Sequence, residues 1–373
     1  MIFGKQLRYL SYSAACILSG MLVNSCETEV DIQAPYEDVT LVYGLLNQQD
    51  SIHYIKINKA FLGEGDAFVY AQERDSSEYN PANVDARVEQ LDDNGNVART
   101  YPLIPDENVA KEDGVFYSPL QTVYYFVTDP NERLSSSAEY RLAINVGGEN
   151  KFVSALTPLI DDNDGNYQFD GLIVGLPRVG LATVSQFTNS LAVEWVSAPG
   201  GKRYQLSFLW GYTDIYVNGN DTTQQSYTVR WPFPTMKAPN ADGGDGMEVV
   251  INGEDFYKFL ATQVPDFDDT PNLYRRIPDI DIDLELAIGG EQLDIFMDVA
   301  EPATGVAQEK PQYTNIDNGI GIFSCRYTLK LTDKELSKDS IEELIRGFIG
   351  GYTSEKGFCD PVTSGPLNDR PCF

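Results

Sequence analysis

The segment SIHYIKINKAF, residues 51–61, decides the fold class of this 373-residue chain. Apolar and polar residues alternate along it, which is the pattern of a β-strand with one buried face. Similar segments rich in Val, Ile, Tyr and Phe lie on both sides. Turn residues separate several of them, for example at Asn94-Gly95 and Gly147-Gly148. The sequence therefore predicts a mainly β protein.

The strand-like segments fall into two groups. The first covers residues 39–160 and predicts an N-terminal β-sandwich. A linker is expected over 161–182, and a second β-rich domain over 183–353. In that second domain SLAVEW and RYQLSFLW resemble immunoglobulin-like or fibronectin-like strands, with Trp195 in the core. We therefore expect two immunoglobulin-like or fibronectin-like β-sandwich domains with a few short helices.

Two segments have helical periodicity instead. NGEDFYKFLATQVP, residues 252–265, places Phe256, Phe259 and Leu260 on one helical face before Pro265. DKELSKDSIEELIRGFIGGY, residues 333–352, predicts a second helix that ends before Gly350-Gly351. Its apolar stripe consists of Ile341, Leu344, Ile345 and Phe348. Stripes of this kind are typical of helices packed on a core.

Composition restricts the function. The chain has 27 Lys and Arg against 56 Asp and Glu, a formal net charge of −29, which argues against a nucleic-acid partner. Its one histidine, His53, lies in a predicted strand, so a multi-histidine zinc site is excluded and a Ser-His-Asp triad is disfavoured. We expect a protein that is not an enzyme.

The N-terminus has the pattern of a secretory signal peptide. Lys5 and Arg8 precede a short apolar run, and the predicted signal covers residues 1–25. Val23-Asn24-Ser25-Cys26 resembles the bacterial lipobox, in which the cysteine receives acyl chains such as palmitate and becomes the mature N-terminus. The alternative is a soluble secreted protein with an incidental cysteine.

An acidic tether is expected after Cys26, over residues 26–38. Glu27, Glu29 and Asp31 resemble the export signal of surface-exposed lipoproteins. This interpretation predicts an outer-membrane lipid anchor with the protein at the cell surface. The alternative is a solvated tether whose acidity only follows that of the whole chain.

The remaining cysteines suggest a C-terminal disulfide loop over 354–373. Cys359 and Cys372 flank a segment rich in Pro and Gly, and an oxidising compartment would favour a bond between them. Cys325 would then be a buried free thiol, although pairing of Cys325 with either of the other two stays open.

The segment DIDIDLE, residues 279–285, is the sharpest polar pattern. Strand alternation would place its four carboxylates on one face, where they repel one another. Ca²⁺ or basic side chains on a neighbouring strand would relieve that repulsion, and a paired-carboxylate glycosidase site is a further reading. The alternative is a solvated outer face, with no cofactor. The four residues are Asp279, Asp281, Asp283 and Glu285.

Aromatic residues cluster in LWGY and WPFP. Trp210, Tyr212, Trp231 and Phe233 could pack on sugar rings or form a protein interface. The same residue types also fill the cores of β-sandwiches. The sequence leaves both interpretations open.

One motif goes beyond fold. YTNIDNGIGIFSCRYT, residues 313–328, resembles a segment near the end of a Bacteroidota surface-lipoprotein family of unknown function (DUF4249-like). The start of the mature chain, CETEVDIQAPYEDVTLVYGLLN, is similar to that family's opening. The resemblance implies an outer-membrane accessory subunit that works with a TonB-dependent β-barrel transporter, and it transfers no catalytic residues.

The sequence thus leads us to expect a non-enzymatic binding or accessory subunit of a TonB-dependent transport or other surface complex. Two alternatives stay open. One is a structural or adhesive surface lipoprotein. The other is a carboxylate-dependent glycan hydrolase, which needs two acids on facing loops of a cleft.

Overall fold

The computed structural model describes residues 37–62, 66–129, 131–147, 151–267, 273–278, 280–300 and 312–359. Strands dominate these residues, and the helices among them are few and short. The fold class predicted from the alternating segments, a mainly β protein of sandwich type, is confirmed.

The strands, in chain order, are β1 (Glu37–Leu46), β2 (Ile52–Leu62), β3 (Val84–Leu91), β4 (Val97–Pro102), β5 (Ile104–Ala110), β6 (Leu120–Val127), β7 (Glu139–Val146), β8 (Lys151–Pro158), β9 (Arg178–Val179), β10 (Leu191–Val196), β11 (Gly201–Asn218), β12 (Asp221–Pro232), β13 (Met236–Lys237), β14 (Gly246–Ile251), β15 (Leu273–Arg276), β16 (Ile282–Gly290), β17 (Gly319–Leu336) and β18 (Phe358–Cys359).

The helices are α1 (Ala67–Ala71), α2 (Arg74–Ser77), α3 (Leu172–Gly175), α4 (Gly253–Gln263), α5 (Glu291–Ala300) and α6 (Lys338–Arg346), with a 3₁₀ turn at Pro81–Asn83. The helices α4 and α6 confirm the two predicted from periodicity. Helix α6 ends earlier than expected, because Gly347 adopts the left-handed conformation of a C-cap. Phe348 therefore lies outside the helix and is exposed.

The strands form three sheets. The largest has the order β18-β15-β11-β16-β17-β1-β2-β6-β5, with β12 and β13 also paired to β11 and β9 paired to β17. A second sheet has the order β4-β3-β7-β8, and β10 pairs with β14. The turn at Asn94-Gly95 joins β3 to β4 as predicted, and Gly95 has the positive φ that this turn requires.

The predicted boundary between two domains does not separate the sheets. Strand β1 pairs in parallel with β17, from Thr40 opposite Gly319 to Leu46 opposite Cys325. The described residues within 39–60 and 67–359 form one compact unit. The two halves of the chain therefore share one large sheet, because a strand from the first half needs a neighbour from the second.

The two segments predicted as a linker and as a terminal loop also contribute to this unit. Within 161–182, helix α3 and strand β9 are regular structure, and β9 pairs with the end of β17. Within 354–373, the short strand β18 pairs with β15, and Phe358 is fully buried. Ile173 and Val179 in the first segment and Phe358 in the described part of the second are buried, so both contribute to the core.

The NGIGIF segment explains how β1 and β17 approach. Gly321 has φ +124°, and a Cβ atom there would lie 2.0 Å from the carbonyl oxygen of Val42. Only glycine fits this backbone. The Asn315 side chain accepts a hydrogen bond from the Phe323 backbone N–H at 3.0 Å and donates one to its carbonyl at 2.7 Å. Asparagine and glycine thus set the register in which β17 meets β1.

The layers meet in continuous apolar contact. Tyr101 of β4 packs on Phe126 of β6 with ring centroids 5.0 Å apart, so the four-stranded sheet covers the β1-β2-β6 end of the large sheet. In the second half, the ring centroid of Phe256 in α4 lies 5.4 Å from that of Phe208 and 6.2 Å from that of Trp210, both in β11. Helix α4 covers the inner face of β11 and leaves the outer face to α5.

Candidate functional site

The acidic segment does not form a single row of solvated carboxylates. Asp281 is buried, and its carboxylate accepts hydrogen bonds from Trp210 Nε1 at 2.8 Å and from the Leu336 backbone N–H at 3.2 Å. This burial raises the pKa of the Asp281 carboxyl to about 7. The prediction that Asp281 lies on a common outer face is wrong, because the residue faces a tryptophan from the neighbouring strand.

The other acids of the segment have separate surroundings. Asp283 is exposed, and Glu285 is half-buried between Arg230 at 2.8 Å and Lys330 at 3.6 Å. The charge of Glu285 is thus offset by Lys330 on the neighbouring strand β17, as expected, and by Arg230 on β12, which lies beyond β11. Asp279 lies outside the described residues. Within the described ranges, no group of three or more His, Cys, Asp or Glu could hold a metal ion.

The predicted aromatic surface is core. Trp210 is 1% exposed, Tyr212 and Phe233 are buried, and Trp231 is half-buried against Phe259 of α4. The ligand-contact interpretation of Trp210, Tyr212 and Phe233 is wrong, because helix α4 and β18 cover the face of β11 that carries the two residues of LWGY.

A buried ion pair supports this aromatic core. Arg275 Nε lies 2.8 Å from Asp214 Oδ1, and both side chains are about 5% exposed. The guanidinium also donates to the carbonyls of Pro265 and Lys356, each at 2.9 Å, and lies 5.1 Å from the Tyr212 ring centroid. All of these contacts are internal, so the pair is part of the scaffold.

The cysteines fit a structural role. Cys359 is disulfide-bonded, whereas Cys325 is free and buried. Burial raises the pKa of the Cys325 thiol to about 12, which keeps it protonated and unreactive. The pairing of Cys359 with Cys372 stays a prediction because Cys372 lies outside the described residues, as does the predicted lipidation site Cys26.

A groove lies on the outer face of the large sheet, and we call it the apolar trough. Strands β1 and β2 form one wall and helix α5 the other, around a volume of about 440 Å³. This size lies within the range of small-molecule sites. Its principal side chains are Tyr43, Ile52, Tyr54, Leu293, Phe296 and Met297.

Helix α5 forms its wall because ionic contacts hold it on the sheet. Arg203 of β11 and Lys237 of β13 reach Asp294 of the helix at 2.8 and 2.9 Å. Across the trough, the rings of Phe296 and Tyr43 meet edge to face with centroids 6.4 Å apart. The helix covers β11, β16 and β17 and stops at β1, so the described residues leave the outer faces of β1 and β2 open.

An ion pair marks one end of the trough. Arg326 Nη2 of β17 donates to Asp50 Oδ2 at 2.8 Å, and both residues are partly exposed. The same two residues border a second, polar depression of about 640 Å³, which we call the polar basin. The trough and the basin are therefore adjoining halves of one site. The basin is also lined by Asn47, Gln49, Glu285, Thr328 and Lys330.

Sequence reasoning missed this site. Leu293, Phe296 and Met297 follow the i, i+3, i+4 spacing of a helical face, and that signal could have identified α5. The alternation of Tyr43 and Tyr54 with buried neighbours predicts outward side chains. Nothing local indicates that residues near 50 and 326 meet.

A second exposed feature is an apolar knuckle formed by Phe68, Val69, Val115 and Phe116. Phe68 is 72% exposed and the other three are all more than half exposed. The backbone N–H of Tyr117 donates to the Ala71 carbonyl at 2.8 Å, which joins the two segments. Two segments joined by a backbone hydrogen bond thus expose these large apolar side chains to solvent.

No family model matches the chain, and no curated protein matches it. In the part of the chain that the structure describes, no helix has the length and apolar character needed to span a membrane.

Proposed function

We propose that this chain is an outer-membrane-anchored surface lipoprotein that acts as a non-enzymatic binding or accessory subunit of a TonB-dependent transport complex or another surface complex. The single observation that carries the proposal is the apolar knuckle. The lipobox-like segment ending at Cys26 and the family resemblance of residues 313–328 support the anchor and the type of partner.

The knuckle favours a protein partner for physical reasons. Contiguous exposed apolar side chains mark interaction sites, because water contact with each Å² of apolar surface costs roughly 25 cal/mol. The flanks of the two segments are acidic on balance, with four acids against the two bases Arg74 and Lys111. The acids are Glu73, Asp75, Glu112 and Asp113. This charge disfavours an anionic membrane surface. It suits a protein with an apolar pocket bordered by basic residues.

The predicted tether keeps such a partner close. Residues 27–36 lie between the proposed lipid anchor and strand β1, whose first two residues overlap the predicted end of the tether, and an extended chain spans at most ~3.6 Å per residue, which gives roughly 40 Å of reach. A membrane-embedded β-barrel is within that distance. The short tether also raises the effective concentration of the partner, which strengthens a modest interface.

The first test is a mild-detergent pull-down of the tagged, lipidated protein from its own membranes. We expect a stoichiometric β-barrel companion with the wild type and its loss with the double variant Phe68→Ser and Phe116→Ser. The matched control is Leu172→Ser with Val184→Ser, because these two side chains are 85% and 80% exposed but lie elsewhere. The control should retain the companion.

Two results would contradict the proposal. A wild-type protein that purifies as a clean single species would favour the adhesive alternative. A Cys26→Ala protein that still partitions with membranes would remove the lipid anchor from the account. Retention of the companion by the Phe68 and Phe116 variant would keep the accessory role but assign the interface elsewhere.

A further inference from the structure

We propose that the apolar trough binds an amphipathic anion, whose apolar body lies between β2 and α5 and whose carboxylate or sulfonate head meets Arg326. This inference names the ligand class of the binding role and rests on the proposed function for its biological purpose. Its test uses the purified protein and defined probes, so it can fail or succeed independently of any partner.

The trough has an apolar interior that the fold leaves open. Tyr54 is 56% exposed, and Ile52, Tyr43 and Met297 are each exposed by more than 40% although they face one groove. Strand residues form one side and helix residues the other. A ligand in the trough would therefore contact apolar side chains on two sides, which a flat surface patch does not offer.

Arg326 supplies the polar end of the site. Its guanidinium donates only through Nη2, to Asp50, and its other N–H groups have no protein acceptor among the described residues. The side chain is 48% exposed. Guanidinium groups bind carboxylates and sulfonates through parallel hydrogen bonds, so the unused donors fit an anionic head. Asp50 holds the group in place at the mouth of the trough.

The surroundings favour an anion over a cation. Lys330 lies four residues further along β17, on the same face of the strand as Arg326, and is 61% exposed. Among the described residues, Asp50 is the one acid that lines the trough, and Arg326 already occupies one of its oxygens. A cationic head would meet Arg326 first. The amphipathic cation is therefore the competing occupant to test.

The direct experiment is a fluorescence titration with 8-anilinonaphthalene-1-sulfonate, followed by displacement with decanoate. Decanoate should displace the probe, and decyltrimethylammonium of the same chain length should do so at least tenfold less effectively, because charge-assisted hydrogen bonds contribute about 1.5–3 kcal/mol. Equal displacement by the two would overturn the inference, and so would a preference for the cation.

Two variants locate the binding. Arg326→Gln should weaken decanoate binding about tenfold, because it removes the charged donors. The matched control is Lys330→Gln, which removes the same charge in the polar basin and should change binding less than about twofold. If both variants weaken binding equally, the effect is general electrostatics and the assigned contact is wrong.

The apolar half needs its own test. Tyr54→Ser should weaken decanoate binding about fivefold by removing one wall of the trough, whereas Leu172→Ser, on a distant exposed site, should leave it unchanged. Circular dichroism should be the same for both, since both side chains are exposed. Unaltered binding in Tyr54→Ser would place the probe elsewhere on the protein and would overturn the inference.

Discussion

Two groups of aromatic residues in this molecule differ in burial. Trp210 and Tyr212 lie on β11 in a core closed by α4 and β18, whereas Tyr43 and Tyr54 lie on β1 and β2 and face solvent beside the apolar trough. Both groups occur in alternating strands with similar composition. The two groups differ in the layer that packs on each strand. Helix α4 covers the face of β11 that carries Trp210 and Tyr212, whereas helix α5 does not extend over the outer faces of β1 and β2.

The difference shows that aromatic clustering in a sequence does not locate a binding surface. The clustered pair at 210 and 212 drew attention because its members are close along the chain. Tyr43, Tyr54 and Phe296 converge from three separate elements, and only their shared exposure marks them as a site. Burial is a property of the assembled layers, and a strand pattern records it only in part.

The largest expected difference between the two groups is in stability, and it is measured by truncating one residue of each group. Trp210→Ala should lower the free energy of unfolding by about 5 kcal/mol, because it leaves a large cavity and removes a hydrogen bond to the buried Asp281. Tyr54→Ala should lower it by less than about 1 kcal/mol. Urea unfolding followed by fluorescence measures both. Similar losses would mean that Tyr54 is structural and that the trough is not an open site.

A second test concerns the buried ion pair between Asp214 and Arg275, which packs against the aromatic core around Tyr212. Asp214→Ala should lower the free energy of unfolding by about 3–5 kcal/mol, because it leaves the Arg275 charge buried without its partner. The measurement is again equilibrium unfolding in urea.

The matched control is the double variant Asp214→Leu with Arg275→Met, which removes both charges. It should be more stable than Asp214→Ala by at least about 1 kcal/mol. A double variant that is equally unstable would mean that the hydrogen bonds of Arg275 to Pro265 and Lys356 carry the stabilisation, not the pairing.

The pH dependence of stability sharpens the comparison further. The pKa of Asp281 is about 7 in the folded protein against 3.8 for an ordinary aspartate, so the folded state holds the proton more tightly. Its contribution to stability is complete below about pH 4 and is lost as the pH rises through about 7. The expected loss is about 4 kcal/mol.

The control for that effect is Asp281→Asn, which cannot ionise. The difference in free energy of unfolding between wild type and variant should shift in favour of the variant between about pH 4 and 7 and stay constant outside that window. A difference that does not change with pH would show that Asp281 keeps its charge state on unfolding.

Local signals predicted much of the fold. Alternation gave the strands, the Asn94-Gly95 dipeptide gave the β3–β4 hairpin, and apolar spacing gave α4 and α6. Each of these depends on residues within one element, where side-chain period and turn chemistry determine the outcome. Helix α5 was missed because its apolar face is short and the helix begins directly at the end of strand β16.

The site could not be predicted in the same way. Arg326 meets Asp50 through the parallel pairing of β1 with β17, which no local pattern specifies. The same pairing joined the two expected domains. Asp281 was misplaced because its strand position indicates a direction, whereas its burial depends on Trp210 of the adjacent strand. Contacts across sheets require the assembled topology.

The pairing of β1 with β17 has a consequence for how the chain folds. In the large sheet β1 lies between β17 and β2, and the Gln49 amide, just beyond β1, hydrogen bonds to the backbone of Thr328, 279 residues away in sequence. During synthesis the first strand therefore lacks one neighbour until nearly the whole chain has emerged. Val42 and Leu46, which are buried in the folded protein, remain exposed until then. A chain that terminates before β17 should therefore be aggregation-prone and protease-sensitive, and should not form a smaller folded domain.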